Sequence, residues 1–450
     1  MNPLESDYEY ANSIFDQLWP IPRSITGPGF ESSLQILSQE IPFELDKYAS
    51  GTPVFDWQVP PEWHLRSATL IGPHGDLICD AKEFNLHVVN FSASFIGELT
   101  LEELQPHLYS LPELPNAVPY VTSYYKRRWG FCLTDSVRRS LKPGKYQVHI
   151  DTEFREGNLV TGQVLLPGES SREVLISSYL CHPSLANNEL SGPIGLALLF
   201  RRLKRWDRRR FSYRFLINPE TIGALCFLSR NGDHLRAHLE YGLVLTCLGG
   251  PSSSLRYKSS RNGDSTLDET FLAASEQKID LRSELRFNQF TPVGGSDERQ
   301  YGSPGFKLPV GQIARTVYGE YSGYHNSLDN KDFMNIDQVI KSVTVIESAL
   351  KWAEISSGPV NLMPFGEPQL GKRDLYPNLN SAQSRKSSTD GLHDDREYLE
   401  GVLHLLSLAD GTQSLFNIAQ QTQIDLKLLR KIAEDLEQNG LLTFGGKQKQ

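Results

Sequence analysis

The sequence predicts an α/β fold: a sheet with helices on both faces, interrupted by a β-rich insertion and followed by a small helical domain. Three observations predict it. From residue 173, strand-like and helix-like apolar segments alternate as "EVLISSYL", "SGPIGLALLFRRLKRW", "YRFLINPE", "TIGALCFLSRN" and "YGLVLTCLG". That alternation builds a sheet covered by helices. Between about 53 and 165, short β-rich runs such as "SATLIG", "LHVVNFS" and "KYQVHI" are divided by Pro, Gly and Asn, the texture of a separate β subdomain. After 395, three helical patterns precede the short run "LLTF", the layout of a winged helix.

Each segment has a local reason. "YEYANSIFDQLW" and "FESSLQILSQEI" are amphipathic at helical spacing, and the Pro/Gly-rich loop "PIPRSITGPG" parts them. "VLISSYL" is apolar throughout, as a central strand covered on both faces must be. The expected organisation is a core of residues 1–52 and 166–360, an insertion at 53–165, a linker at 361–395 and a winged-helix-like domain at 396–450.

The 450 residues suffice for two or three domains,. A net charge of −9 disfavours a general nucleic-acid binder,. The N-terminus lacks a basic segment followed by an apolar run, and no apolar stretch reaches the ~18 residues of a membrane span. Five scattered cysteines without CxxC spacing suggest reduced thiols,. A cytoplasmic protein with no membrane partner is expected. The basic run "RRLKRWDRRR" reads as the solvated end of a helix. From 397 to 450 the tail holds seven acids and five bases, too few cations for phosphate tracking. The tail is therefore expected to be a protein–protein or dimerisation module, separable from a core that folds without it. Nucleic acid is disfavoured and a homo-oligomer is expected.

Four residues suggest chemistry. His182 follows the strand "EVLISSYL", at the strand's carboxyl end, where open α/β sheets bind ligands. Alone, such a His is more often structural. Glu220 ends the next strand in "INPETIG", Asp297 lies in the Gly-rich loop "GGSDERQYGSPG", and His325 lies in "GEYSGYHNSLDN". Two His and two acids in loops are the composition of a zinc hydrolase site. Asp297, Arg299, Tyr301 and Arg315 are candidates for the substrate pocket, an Arg being suited to a substrate carboxylate.

The motifs "VTSYYKRRWGFC", "CHPSLANNELSG", "PETIG", "DERQYGSPGF" and "YHNSLDN" occur in this order. In them the chain from about 10 to 445 resembles the bacterial aminopeptidase-like domain proteins, and residues 173–355 resemble the di-zinc aminopeptidases. The resemblance implies a zinc-exopeptidase-like αβα sandwich with a mixed sheet, an inserted β-rich subdomain and a C-terminal winged-helix domain. It also implies roles. The first metal-binding His of those enzymes falls on His182 and the last on His325. The bridging Asp falls on Asn188. The Glu pair of base and ligand falls on Glu220 and Thr221, the next Asp near Cys247, and the Asp two residues after the first His on Ser184. Both His positions and the base remain, while the three carboxylate ligands are replaced.

Two zinc ions a few Å apart need anionic ligands against their mutual repulsion. One zinc is therefore expected, on His182 and His325 with an oxygen donor such as Asn188, or Asp297 if its loop folds inward. The expected activity is metal-dependent hydrolysis of an amide in a small peptide or an N-acylated or aminoacylated metabolite, with Glu220 as general base. The rival expectation is a degenerate peptidase fold used for binding or as a scaffold.

Overall fold

The computed structural model describes residues 3–281, 283–373, 375 and 395–445. Most of the expected linker and the last five residues of the tail lie outside that set. The centre is an eight-stranded sheet. In spatial order its strands are Glu44–Ala49, Asn158–Leu166, Ser212–Asn218, Glu173–Tyr179, Leu239–Leu245, Val310–Ala314, Leu255–Lys258 and Leu285–Asn288. The four strands 212–218, 173–179, 239–245 and 310–314 are parallel. The pairs joining 44–49 to 158–166, 158–166 to 212–218, and 255–258 to 310–314 are antiparallel. The sheet is thus mixed, as the resemblance implies.

All seven residues of Glu173–Tyr179 are buried. Val174 and Ile176 join the core on one face, under helices Ser191–Lys204 and Ile336–Glu354; Leu175 joins the core on the other, under helix Ile222–His238. From this strand the chain moves first to one neighbour, 212–218, and then to the other, 239–245. The strand order therefore reverses here, and the crevice beyond the carboxyl ends is the natural place for a ligand.

The insertion has its own four-stranded antiparallel sheet, ordered Leu77–Asp80, Glu62–Ile71, Lys145–Arg155 and Phe95–Thr100. A separate core of Leu70, Phe131, Val148 and Ile150 fills it. Its expected end at 165 needs correction: Asn158–Leu166 is the second strand of the central sheet. Strand 145–155 and strand 158–166 are divided by a two-residue turn, and local pattern does not reveal that a chain changes sheets there.

The tail comprises helices Asp395–Leu408, Leu415–Thr422 and Leu426–Gln438, then strand Leu442–Thr443. That strand pairs with Val360–Asn361, so one strand of the tail's ribbon lies where the core meets the expected linker. Leu405, Leu415, Leu429 and Leu436 belong to the same apolar cluster as Ile346 and Leu350 of the main core. The basic run is not a solvated helix end. Arg208 and Arg210 both pair with Glu437 of the last tail helix, Arg210 also faces the Phe444 ring, and Arg430 lies 4.0 Å over Trp352. Among the described residues, no helix is long and apolar enough to cross a membrane.

Candidate active site

Successive parallel strands deliver the site residues at their carboxyl ends. His182 lies three residues past Tyr179, Glu220 two past Asn218, and Cys247 two past Leu245; His325 follows Ala314 by a longer loop. After His182 the chain makes a π-helical turn, Ala186–Leu190, and enters helix Ser191–Lys204. Gly192 lets that helix start against the strand ends, since a Cβ there would meet Ser178 Oγ at 2.3 Å and the Leu245 carbonyl oxygen at 2.6 Å.

His182 is held by a residue that the sequence reading passed over. Glu189, wholly buried, accepts the His182 backbone N–H through Oε1 at 2.8 Å, and its Oε2 lies 2.8 Å from His182 Nδ1. Cys181 Sγ lies 3.3 Å from the same nitrogen, so the carboxylate and the thiol together occupy the Nδ1 side and leave Nε2 for the cleft, 3.9 Å from Glu220 Oε2. Arg23, buried in the N-terminal loop, donates to the carbonyl oxygens of Leu18 and His182. Its charge offsets Glu189: burial lowers the Arg23 pKa to about 10, and Glu189 opposes that shift.

The insertion fixes His325. The Tyr120 N–H donates to the His325 carbonyl at 2.8 Å, Ser327 N–H to the Val118 carbonyl at 2.9 Å, and Val118 N–H to Ser327 Oγ at 2.9 Å. His325 is held at a φ of 55°. The Tyr120 ring centre is 5.0 Å from that of His182 and 5.3 Å from that of His325, and the two imidazole centres are 5.4 Å apart. Burial, then the neighbouring His182, lowers the His325 pKa to about 3, so this ring is neutral.

Asn188 has a fixed amide orientation. Tyr179 Oη donates to the Asn188 carbonyl at 2.8 Å, so it must accept from Asn188 Nδ2 at 3.1 Å. Asn188 Oδ1 is thereby turned away and, though buried, has no partner. Asp329 holds the turn in place by accepting the N–H groups of Asn187 and Asn188 at 2.6 and 2.9 Å. Cys247 is fully buried at a φ of 51°, and burial pushes its thiol up to about 12.

Glu220 accepts from Ser296 Oγ at 2.7 Å, and burial raises its pKa against the opposing charge of His182. Thr221, at a φ of 63°, gives its N–H to Asp297 Oδ1 at 2.7 Å; Asn218 Nδ2 gives to Asp297 Oδ2 at 2.9 Å. Asp297 therefore holds the turn that presents Glu220 and is not turned toward the imidazoles. Arg299, half-buried, bonds the Ser296 carbonyl. Two expectations need correction. Tyr301 is fully buried among Ala224, Phe227 and Leu228, with Oη 3.4 Å from Ser177 Oγ. Arg315 is spent on Ser342 Oγ and on the carbonyls of Ser252 and Ser253. Neither side chain is left for a substrate, because a ring that fills a core and a guanidinium that satisfies loop carbonyls look the same in sequence as pocket residues.

A family model described as "Domain of unknown function (DUF4910)" matches residues 12–356, and one described as "winged helix-turn-helix" matches 357–444. A Clostridium acetobutylicum protein is 37% identical over 442 residues, covering 98% of this chain and 97% of that one. It is described as a "putative polysaccharide biosynthesis protein with aminopeptidase-like domain". The chain belongs to this DUF4910 aminopeptidase-like family. A crystal structure from the same organism, described as a "putative peptidase", is 35% identical with a TM-score of 0.81 and 98% of each chain covered. A zinc aminopeptidase of Bacillus subtilis gives a TM-score of 0.52 at 13% identity, over 77% of this chain and 95% of that one. That second likeness is one of fold.

The two imidazoles of this family member are spaced as two ligands of one divalent ion would be. Two imidazoles sharing a tetrahedral ion, with metal–nitrogen bonds of about 2.0–2.1 Å, have ring centres roughly 5 Å apart, close to the 5.4 Å between His182 and His325. Asn188 Oδ1, buried and without a hydrogen-bond partner, is a candidate oxygen donor. The corner beside Asn188 holds Tyr179, Thr246 and Cys247, and the carboxylate that reaches it, Asp329, is engaged by the Asn187 and Asn188 N–H groups. Cys181 Sγ, His182 Nδ1 and Glu189 also lie within 4.8 Å of one another. Both Glu189 oxygens there already face His182, and burial pushes the Cys181 thiol up to about 11. That trio orients the His182 ring.

Glu189, Arg23, Tyr120, Ser296 and Asp329 escaped sequence reasoning. Glu189 alone left a signal: an acid lodged in "NNELSGPIGLALLF", next to a helix that is apolar for ten residues.

Proposed function

We propose that this chain is a metal-dependent amide hydrolase that works with one ion, most naturally zinc. Its substrate would be a small peptide or an N-acylated or aminoacylated metabolite. The observation that carries the reading is the Glu189 clamp on His182, which leaves Nε2 facing Glu220 beside a neutral His325.

His182, His325 and Asn188 Oδ1 would hold the ion, which when bound polarises an amide carbonyl and makes a water more acidic. Glu220 takes the proton from the attacking water and passes it to the leaving amine. Ser296 orients that carboxylate, and the Asp297-braced turn fixes its distance from His182. The relative described in terms of polysaccharide biosynthesis makes amide-bearing sugars the metabolites to assay first.

The test is hydrolysis of aminoacyl and N-acyl amides by zinc-loaded chain, compared with Glu220→Gln. The expected result is turnover that Glu220→Gln removes while zinc still binds. Absence of zinc binding would sink the reading. It would favour the binding or scaffold role, which the neutral side chains at Asn188, Thr221 and Cys247 support.

A further inference from the structure

We propose that the groove between the hairpin Pro53–Gln58 and the outer face of helix Ile222–His238 binds a neutral carbohydrate chain. The cavity measures about 560 Å³, within the range of ligand pockets.

The hairpin shows that its aromatic tip is wanted. Val54 pairs with Trp57, leaving Phe55 and Asp56 as a two-residue turn. Of these only Phe55 has a positive φ, 54°. A turn of that kind normally has Gly at its first central position, and a bulky residue there is strained. Burial does not compensate, since Phe55 is 57% exposed and meets Phe306 edge-on at 5.6 Å. Trp57 stands beside it, meeting the exposed Tyr125 edge-on at 5.1 Å. The floor is built to match: Phe306 lies against Gly232, where a Cβ would come within 2.4 Å of its ring.

The polar groups select the ligand. Arg230 is committed to the Lys47 carbonyl and the Tyr48 ring, and Arg236 to Asp233 and the Gly305 carbonyl. Both guanidiniums are thus paired, and the described lining residues include no unpaired cation to select a phosphate or sulfate. Asp56 and Gln300 have no side-chain partner among the described residues, and the free carboxylate of Asp56 repels an anion. Exposed aromatic rings take the C–H faces of pyranose rings, and planar carboxylate and amide groups take their hydroxyls. The groove's lining on this helix runs from Leu225, five residues after Glu220 in the chain, to Arg236, about 16 Å along the helix. That length suits a short oligosaccharide better than one ring. That groove and cleft serve one substrate rests on the amide-hydrolase reading; sugar binding itself does not.

The test uses the full chain with a panel of neutral di- to tetrasaccharides of hexoses and N-acetylhexosamines, followed by saturation-transfer NMR and calorimetry. At least one member should bind. Trp57→Ala and Phe55→Gly should each weaken it about tenfold or more. Phe55→Gly should keep or raise Tm, because Gly relieves the turn, which separates lost contact from lost fold. Glu220→Gln should bind the sugar as wild type does. No binding at millimolar concentration, unchanged affinity in both groove variants, or preference for anionic saccharides or peptides would each overturn the assignment. Sugar binding without hydrolysis of any amide would sink the hydrolase reading and leave the groove standing.

Discussion

Glu189 grips His182 from two sides, taking its backbone N–H at 2.8 Å with one oxygen and facing Nδ1 at 2.8 Å with the other. The look-alike enzymes place an Asp two residues after this His; here that position is Ser184, whose hydroxyl instead accepts from Asn85.

Glu189→Gln should therefore weaken zinc binding about 10–100-fold, the usual cost of losing a ligand's outer partner. Gln keeps one oxygen and so can satisfy only one of the two donors. Zinc titration by calorimetry, with Tm checked in parallel, reads the effect. Unchanged affinity would show that the clamp does not set the state of His182.

Asn188→Asp should raise zinc affinity. A full negative charge ~4 Å from the ion at an effective dielectric of about 20 adds roughly several kcal/mol for a divalent ion before desolvation is subtracted. The variant also loses the Nδ2 donation to Tyr179. Equal affinity in wild type and variant would mean that Oδ1 lies outside the coordination shell.

Cutting the chain after residue 370 should destabilise the core, contrary to the expectation of a separable tail. Helix Thr266–Ser275 would lose its contact with Leu415–Thr422, and Arg208 and Arg210 would lose Glu437. Each fully buried Leu of such an interface is worth about 1.5–3 kcal/mol. Lower Tm and increased binding of an apolar dye are the expected readings. A truncated chain with wild-type Tm would restore the separable-tail view.

Asp297 should impose a pH slope on stability. Burial first, then Glu220, raises its pKa from 3.8 to about 7, and the pair titrates as a coupled unit. The folded state keeps a proton that the unfolded chain has released. The stabilisation is thus complete below pH ~4 and is lost as pH rises through about 7. Over that window the loss is at most about 4 kcal/mol. Tm measured from pH 4 to 8 should fall less steeply in Asp297→Asn than in wild type. Equal slopes would assign the titration to another group.

The strand and helix alternation from 173 onward determined the covered sheet, because side-chain period and burial are local properties that a sequence carries openly. The same holds for the positions of His182, Glu220 and His325 in loops, and for the neutral residues at Asn188, Thr221 and Cys247. Tertiary structure alone decided the rest. Tyr120 reaches His325 across 205 residues of chain and Arg23 reaches His182 across 159, and no periodicity links such partners. Tyr301 and Arg315 show the converse: their types suit a pocket, but the space and carbonyls around them set their use. Whether a polar side chain serves chemistry or packing depends on which other groups are folded against it, and those groups lie elsewhere in the chain.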